Sequence, residues 1–180
     1  MAELVSKTYS EALFEVAKED HKVDELQAEF EFVVSSFKEY PEFYEIFKTP
    51  KINFEEKKRI IHEIFADKIS ESLLNFIYVI LDKKRGSDIL EIKSAFDQRV
   101  DDYKGIAKVT VETVLPLTES QLSAITEKLA VKTGKQVVIE TVINKSLVAG
   151  MVIKMGDHVI DGSVKYKLEG MLEGLTQIIV

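Results

Sequence analysis

The sequence predicts an α+β protein in two parts: an N-terminal bundle of six helices over residues 1–105, and a small C-terminal α/β domain of about four strands and two helices over residues 106–180. Three observations carry that expectation. Apolar residues recur at helical spacing as far as Lys104, and the period then changes to alternation in "AKVTVETV", Ala107 to Val114. The charge changes at the same place, with 23 Asp+Glu against 16 Lys+Arg up to Lys104 and 8 of each from Gly105 onward. All three prolines fall at element boundaries, so none interrupts a helical pattern.

The first helix is expected from Leu4 to about Lys18, with Val5, Tyr9, Ala12, Leu13 and Val16 as its core-facing stripe. A second covers Val23 to Glu39. Pro41 opens a short third helix, "PEFYEIFK", and Thr49-Pro50 closes it, because a residue before proline avoids the helical region. Asn53, with Glu56 three residues on, has the spacing of a helix-opening box. The fifth helix spans about Ser70 to Lys84, and a sixth runs from Ser87 to Lys104 with Gly105 at its C-cap. After the first strand, Thr118 and Gln121 form a capping box for a helix that Gly134 ends, and "QVVIETVI" is a second, β-branched strand. "GMVIKMGDHVID" reads as two strands around a tight turn at Gly156-Asp157. Asp161, Gly162 and Ser163 lead into a final helix, capped by Ser163, that is expected to bury Val164, Leu168, Met171, Leu172 and Leu175.

A net charge of −7 argues against nucleic acid as a partner, since neutralising phosphates takes a basic surface. The absence of cysteine excludes disulfides, thiolate metal sites and thiol catalysis. The longest apolar run, Phe76 to Leu81, falls far short of the ~20 residues that a membrane span needs. No secretory signal is apparent at the start of the chain. Among chemical motifs, "GDHVIDGS" (Gly156 to Ser163) brings two glycines and a hydroxyl together, as a phosphate loop does. It lacks the lysine that would reach the phosphates, and a hairpin turn followed by a helix cap explains it without a ligand. His62 in "RIIHEIF" has Ala66 where a metal helix would need a second histidine. None of the adjacent carboxylates is flanked like an acid–base pair, so no catalytic residue, metal or cofactor is expected.

Two helices carry more apolar surface than one core stripe requires. Phe14 is expected to point away from the Tyr9/Leu13/Val16 stripe, and the fifth helix is apolar around most of its circumference. Either that helix is central in the bundle, or the two helices frame a groove for an incoming helix, contacted by Tyr9, Phe14, Phe76 and Val79, with Tyr78 as the alternative at the other edge of the arc.

Four stretches carry a resemblance that spans nearly the whole chain: "TYSEALFEVA" (Thr8 to Ala17), "NFIYVILDKKR" (Asn75 to Arg85), "GIAKVTVETVLPLTESQ" (Gly105 to Gln121) and "GKQVVIETVINKSLVAGMVIKMGDHVIDGSV" (Gly134 to Val164). In these the chain resembles the delta subunits of F-type ATP synthases, which are related to the mitochondrial oligomycin-sensitivity-conferring protein. The C-terminal stretch is the most specific, through Gly156-Asp157 and Val159 to Ser163. The chain departs from the common pattern at Thr8-Tyr9-Ser10, at Ile143 to Ser146 and at Ala149. The resemblance implies a non-catalytic stator protein, peripheral at the cytoplasmic face of the cell membrane and touching the membrane only through its complex. It implies that the N-terminal domain meets the catalytic hexamer and takes an alpha-subunit N-terminal helix between its first and fifth helices. The C-terminal domain would hold the peripheral-stalk b subunits. The alternative from another class is a nucleotide- or small-molecule-binding module built on the Gly-rich C-terminal turns.

Overall fold

In the computed structural model the described residues are 2–156, 158–169 and 171, and they form an α+β arrangement of helices and one four-stranded sheet. The chain divides into two compact units, Met1–Val100 and Asp101–Val180.

The first unit contains α1 (Ala2–Glu19), α2 (Val23–Glu39), α3 (Pro41–Lys48), α4 (Phe54–Phe65), α5 (Glu71–Asp82), a single 3-10 turn at Gly86–Asp88, and most of α6 (Ile89–Tyr103). Local chemistry sets the starts. The Asn53 side chain accepts from the Glu56 N–H at 2.8 Å, and Pro41 occupies the first turn of α3. Ser70 accepts from the Leu73 N–H and donates to Glu29 Oε2 at 2.6 Å, which ties the start of α5 to α2. The core is aromatic and aliphatic: Phe30, Phe47, Phe65, Phe96, Ile77, Ile80, Ile89 and Ile92 are fully enclosed. Phe37 stacks on Phe43, Tyr44 and Phe47 with ring centroids 5.0–5.3 Å apart.

α1 departs from the expected stripe. Its buried face is Ser6, Ser10, Leu13, Phe14 and Ala17, while Val5 and Tyr9 are half-buried and Ala12 and Val16 are exposed. The inward face is offset from the expected one by about a quarter turn. Small side chains hold it close to its neighbours. The buried hydroxyl of Ser10 is satisfied locally by donating to the Lys7 carbonyl at 2.9 Å, so burial leaves no orphan polar group.

The second unit contains β1 (Ile106–Thr113), α7 (Glu119–Thr133), β2 (Gln136–Ile143), β3 (Met151–Met155) and β4 (His158–Asp161), in the sheet order β2-β1-β3-β4. β1 and β2 are parallel, which requires the α7 crossover, and the other pairings are antiparallel. The capping box at Thr118 and Gln121 opens α7, and Gly134 closes it at φ 67°. Ala107, Val109, Val111, Leu129 and Val137 form a separate small core. Met155 pairs with His158, which leaves a two-residue turn whose first member, Gly156, has φ 54°; its second, Asp157, lies outside the described residues.

α8 is helical over 164–169 and at Met171. The Ser163 hydroxyl accepts from the Tyr166 N–H at 3.1 Å, as expected of a cap. The expected burial of its stripe does not occur: Val164, Leu168 and Met171 are exposed, because none of the described elements packs over them. Leu172 and Leu175 lie outside the described residues.

Candidate interaction surface

The half-exposed face of α1 and the outer face of α5 meet. Tyr9 and Phe76 are both partly buried and pack edge-on with centroids 6.4 Å apart, and Phe76 leans in turn on the enclosed Phe30 at 6.1 Å. On α5, Leu73, Leu74, Ile77, Ile80 and Leu81 take the core side. Val79 lies one turn beyond Phe76 on the same face and is 47 % exposed. On α1 the positions 5, 9, 12 and 16 align at helical spacing, and Val16 is exposed like Val79. Where α1 and α5 meet, the Tyr9–Phe76 contact floors a shallow apolar channel, and Val16 and Val79 are exposed on the two helices.

Two expected contact residues are elsewhere. Phe14 is only 8 % exposed and belongs to the core, since the inward face of α1 is rotated toward it. Tyr78 lies on the opposite flank of α5, beside α4. Its hydroxyl is 3.2 Å from His62 Nδ1, the Lys58 ammonium sits 5.1 Å from its ring centroid, and burial pushes its pKa up. Tyr78, His62, Arg59 and Leu74 line an open recess between α4 and α5 that is separate from the channel. The exposure of Ala12 and Val16 was not legible in the sequence, because their spacing is that of a core stripe.

The glycine-rich joint has its amides occupied. The Gly162 N–H donates to the Met151 carbonyl at 2.9 Å, the Ser163 N–H to Asp161 Oδ1 at 2.8 Å, and the Val164 N–H to the Ala149 carbonyl at 2.9 Å. A phosphate loop needs such groups free and convergent. Hydrogen bonding to Ser163, through its side chain first and its amide second, holds the Asp161 carboxyl below its usual range. Other carboxylates are engaged structurally: Asp101 with Lys108 and Asp102 with Lys135, both at 2.7 Å, and Glu112 with Lys154 and Asn144. Among the described residues, no group of three or more His, Cys, Asp or Glu is placed to hold a metal ion, and no helix is long and apolar enough to cross a membrane.

Both units carry exposed apolar surface among the described residues, where α1 meets α5 in one and at Val164, Leu168 and Met171 in the other. The chain belongs to the ATP synthase delta (OSCP) subunit family, whose pattern matches residues 5–175. It is 37 % identical over 180 residues, the full length of both chains, to ATP synthase subunit delta of Alkaliphilus oremlandii, and equally identical over the full length to that of Alkaliphilus metalliredigens. Among solved structures, a chain of the Toxoplasma gondii mitochondrial ATP synthase hexamer superposes with a TM-score of 0.74 at 22 % identity, covering 95 % of this chain and 97 % of that one. At that identity the likeness concerns the fold.

Proposed function

We propose that the chain is a non-catalytic stator subunit of an F-type ATP synthase, which links the catalytic hexamer to the peripheral-stalk b subunits and resists rotational torque during synthesis. Its place would be peripheral, at the cytoplasmic face of the cell membrane. Residues 1–105 take the alpha-subunit N-terminal helix, and residues 106–180 hold the stalk. The observation that carries this reading is the apolar surface of Tyr9, Phe76 and Val79 where α1 meets α5, together with the exposed Val16 of α1. An amphipathic helix laid there gains ~25 cal/mol per Å² of apolar surface removed from water, before ordering costs. The acidic first part of the chain suits an incoming helix with basic residues beside its stripe. The alternative of a nucleotide- or small-molecule-binding module finds no support in the relatives, and the amides of the glycine-rich joint are already bonded.

Capture of the alpha-subunit N-terminal peptide tests the reading. Val79→Asp should melt like the wild type and lose the peptide. Phe14→Asp should lower the melting temperature steeply, because it buries an unpaired charge in the core at a cost of several kcal/mol. Full-affinity capture by a normally melting Val79→Asp protein would remove the channel as the docking site.

A further inference from the structure

The connection from β2 to β3 holds a strained residue that serves no core. Val148 has φ 66° and ψ −54°, and the Ala149 N–H donates to the Leu147 carbonyl at 2.8 Å. It is the centre of a γ-turn of the rare positive-φ form, which is costly for an L residue and more so for a β-branched one. Burial does not compensate, since Val148 is 66 % exposed. Its surroundings enforce the conformation. Leu147 is buried, Asn144 Oδ1 accepts from the Ser146 N–H and hydroxyl, and the Ala149 carbonyl accepts from the Val164 N–H. Strain held in this way at an exposed side chain points to a use for that side chain.

The bond from Val164 to Ala149 starts α8 one residue from the turn. From there α8 presents Val164, Leu168 and Met171 as an i, i+4, i+7 stripe, with Leu168 53 % exposed. The charges around this edge are mixed, three lysines (Lys145, Lys165, Lys167) beside Asp161 and Glu169, with the lysines in excess. Lys145 and Lys167 have no carboxylate in ion-pair reach among the described residues, whereas Asp161 is bonded to Ser163 and Glu169 lies 3.9 Å from Lys165.

We propose that Val148, Val164 and Leu168, with Lys145 and Lys167 beside them, form a docking edge for an acidic amphipathic helix. The apolar stripe of that helix meets the valine tip, and its carboxylates meet the two lysines. This rests on the reading of residues 106–180 as the stalk-holding part.

The experiment titrates the full chain and its variants with the purified soluble segment of the stalk b subunits. Val148→Gly relieves the turn, so its melting temperature should equal or exceed that of the wild type while binding weakens about tenfold, as losing a buried valine contact predicts. Leu168→Glu should weaken binding similarly, and Lys145→Glu/Lys167→Glu should weaken it and flatten its dependence on salt. Unchanged binding by Val148→Gly, a melting temperature that falls in step with binding, no binding by the wild-type chain, or self-association of that chain through this edge would each overturn the proposal. Capture of the alpha-subunit peptide should be unaffected in all these variants, and its failure in the wild type would count against the channel instead.

Discussion

Gly150 shows how a single position fixes the joint at the end of the sheet. Its φ is 89°, and a Cβ built there would stand 2.4 Å from the Gly162 carbonyl oxygen and 3.0 Å from Ser163 Cα. Both neighbours are backbone, and the bonds from Gly162 to Met151 and from Val164 to Ala149 hold that backbone in place. Gly150→Ala should therefore cost roughly 2–4 kcal/mol, the sum of an unfavourable φ and a clash that no side-chain rotation relieves. Gly105 has a similar φ of 66° but nothing within 4 Å of its Cβ position, so Gly105→Ala should cost only about 1 kcal/mol. Urea midpoints of the two variants compare the terms directly, and equal losses would show that φ alone governs Gly150. This requirement was not readable from "VAGMV", because the clashing partner lies twelve residues downstream on another segment.

α2 and α6 are fastened by a charge cluster whose pH limits follow from its members. Lys93 is largely buried and bonds to Glu31 and Asp97, while Gln27 donates to Asp97 at 3.1 Å. The hydrogen bond from Lys93 holds the Glu31 carboxyl below its ordinary value of 4.5. Desolvation pulls the Lys93 ammonium down, but its hydrogen bonds to Asp97 and Glu31 outweigh it and raise its pKa above 10.5. A lowered acid stabilises the fold above its unfolded pKa and loses that contribution as pH falls through the folded value. A raised base stabilises below its unfolded pKa and loses its contribution as pH rises through the folded one. Glu31→Gln should therefore lower the melting temperature at pH 7, and the gap to wild type should close below about pH 4. A gap that stays constant down to pH 3 would show that Glu31 contributes packing and not charge.

Among the elements, local signals are legible in the sequence and the facing of a helix is not. Caps and turns depend on residues within four positions of one another, so Asn53, Ser163, Gly134 and the Thr118/Gln121 box were legible as written. The facing of α1 was not, because that helix has two candidate arcs. The more apolar one, Val5/Tyr9/Ala12/Val16, runs from half-buried at Val5 and Tyr9 to exposed at Ala12 and Val16, and the serine-bearing one packs inward. Hydrophobicity alone favours the wrong arc; small size at Ser6, Ser10 and Ala17 was the signal for close packing. α8 failed in the other direction, its stripe being real and its cover absent from the described elements.

At the level of the chain, the two hydrophobic cores share no residue. The larger runs from Leu13 to Val100, and the smaller begins at Ala107. The division between the compact units falls after Val100, inside α6, which continues to Tyr103 before Gly105 turns the chain into β1. A helix that crosses the division without a flexible linker makes the cut point matter: ending at Val100 would remove the last turn of α6 and expose its final carbonyls one turn earlier. Residues 1–104 keep α6 whole together with every member of the larger core. That fragment should give a helical circular-dichroism spectrum without a strand component and unfold in one cooperative urea transition, because its enclosed side chains are all its own. A fragment ending at Val100 should unfold at lower urea, since it lacks the terminal turn. A strand signature in the 1–104 fragment, or a broad non-cooperative melt, would show that the helical unit depends on the residues that follow it.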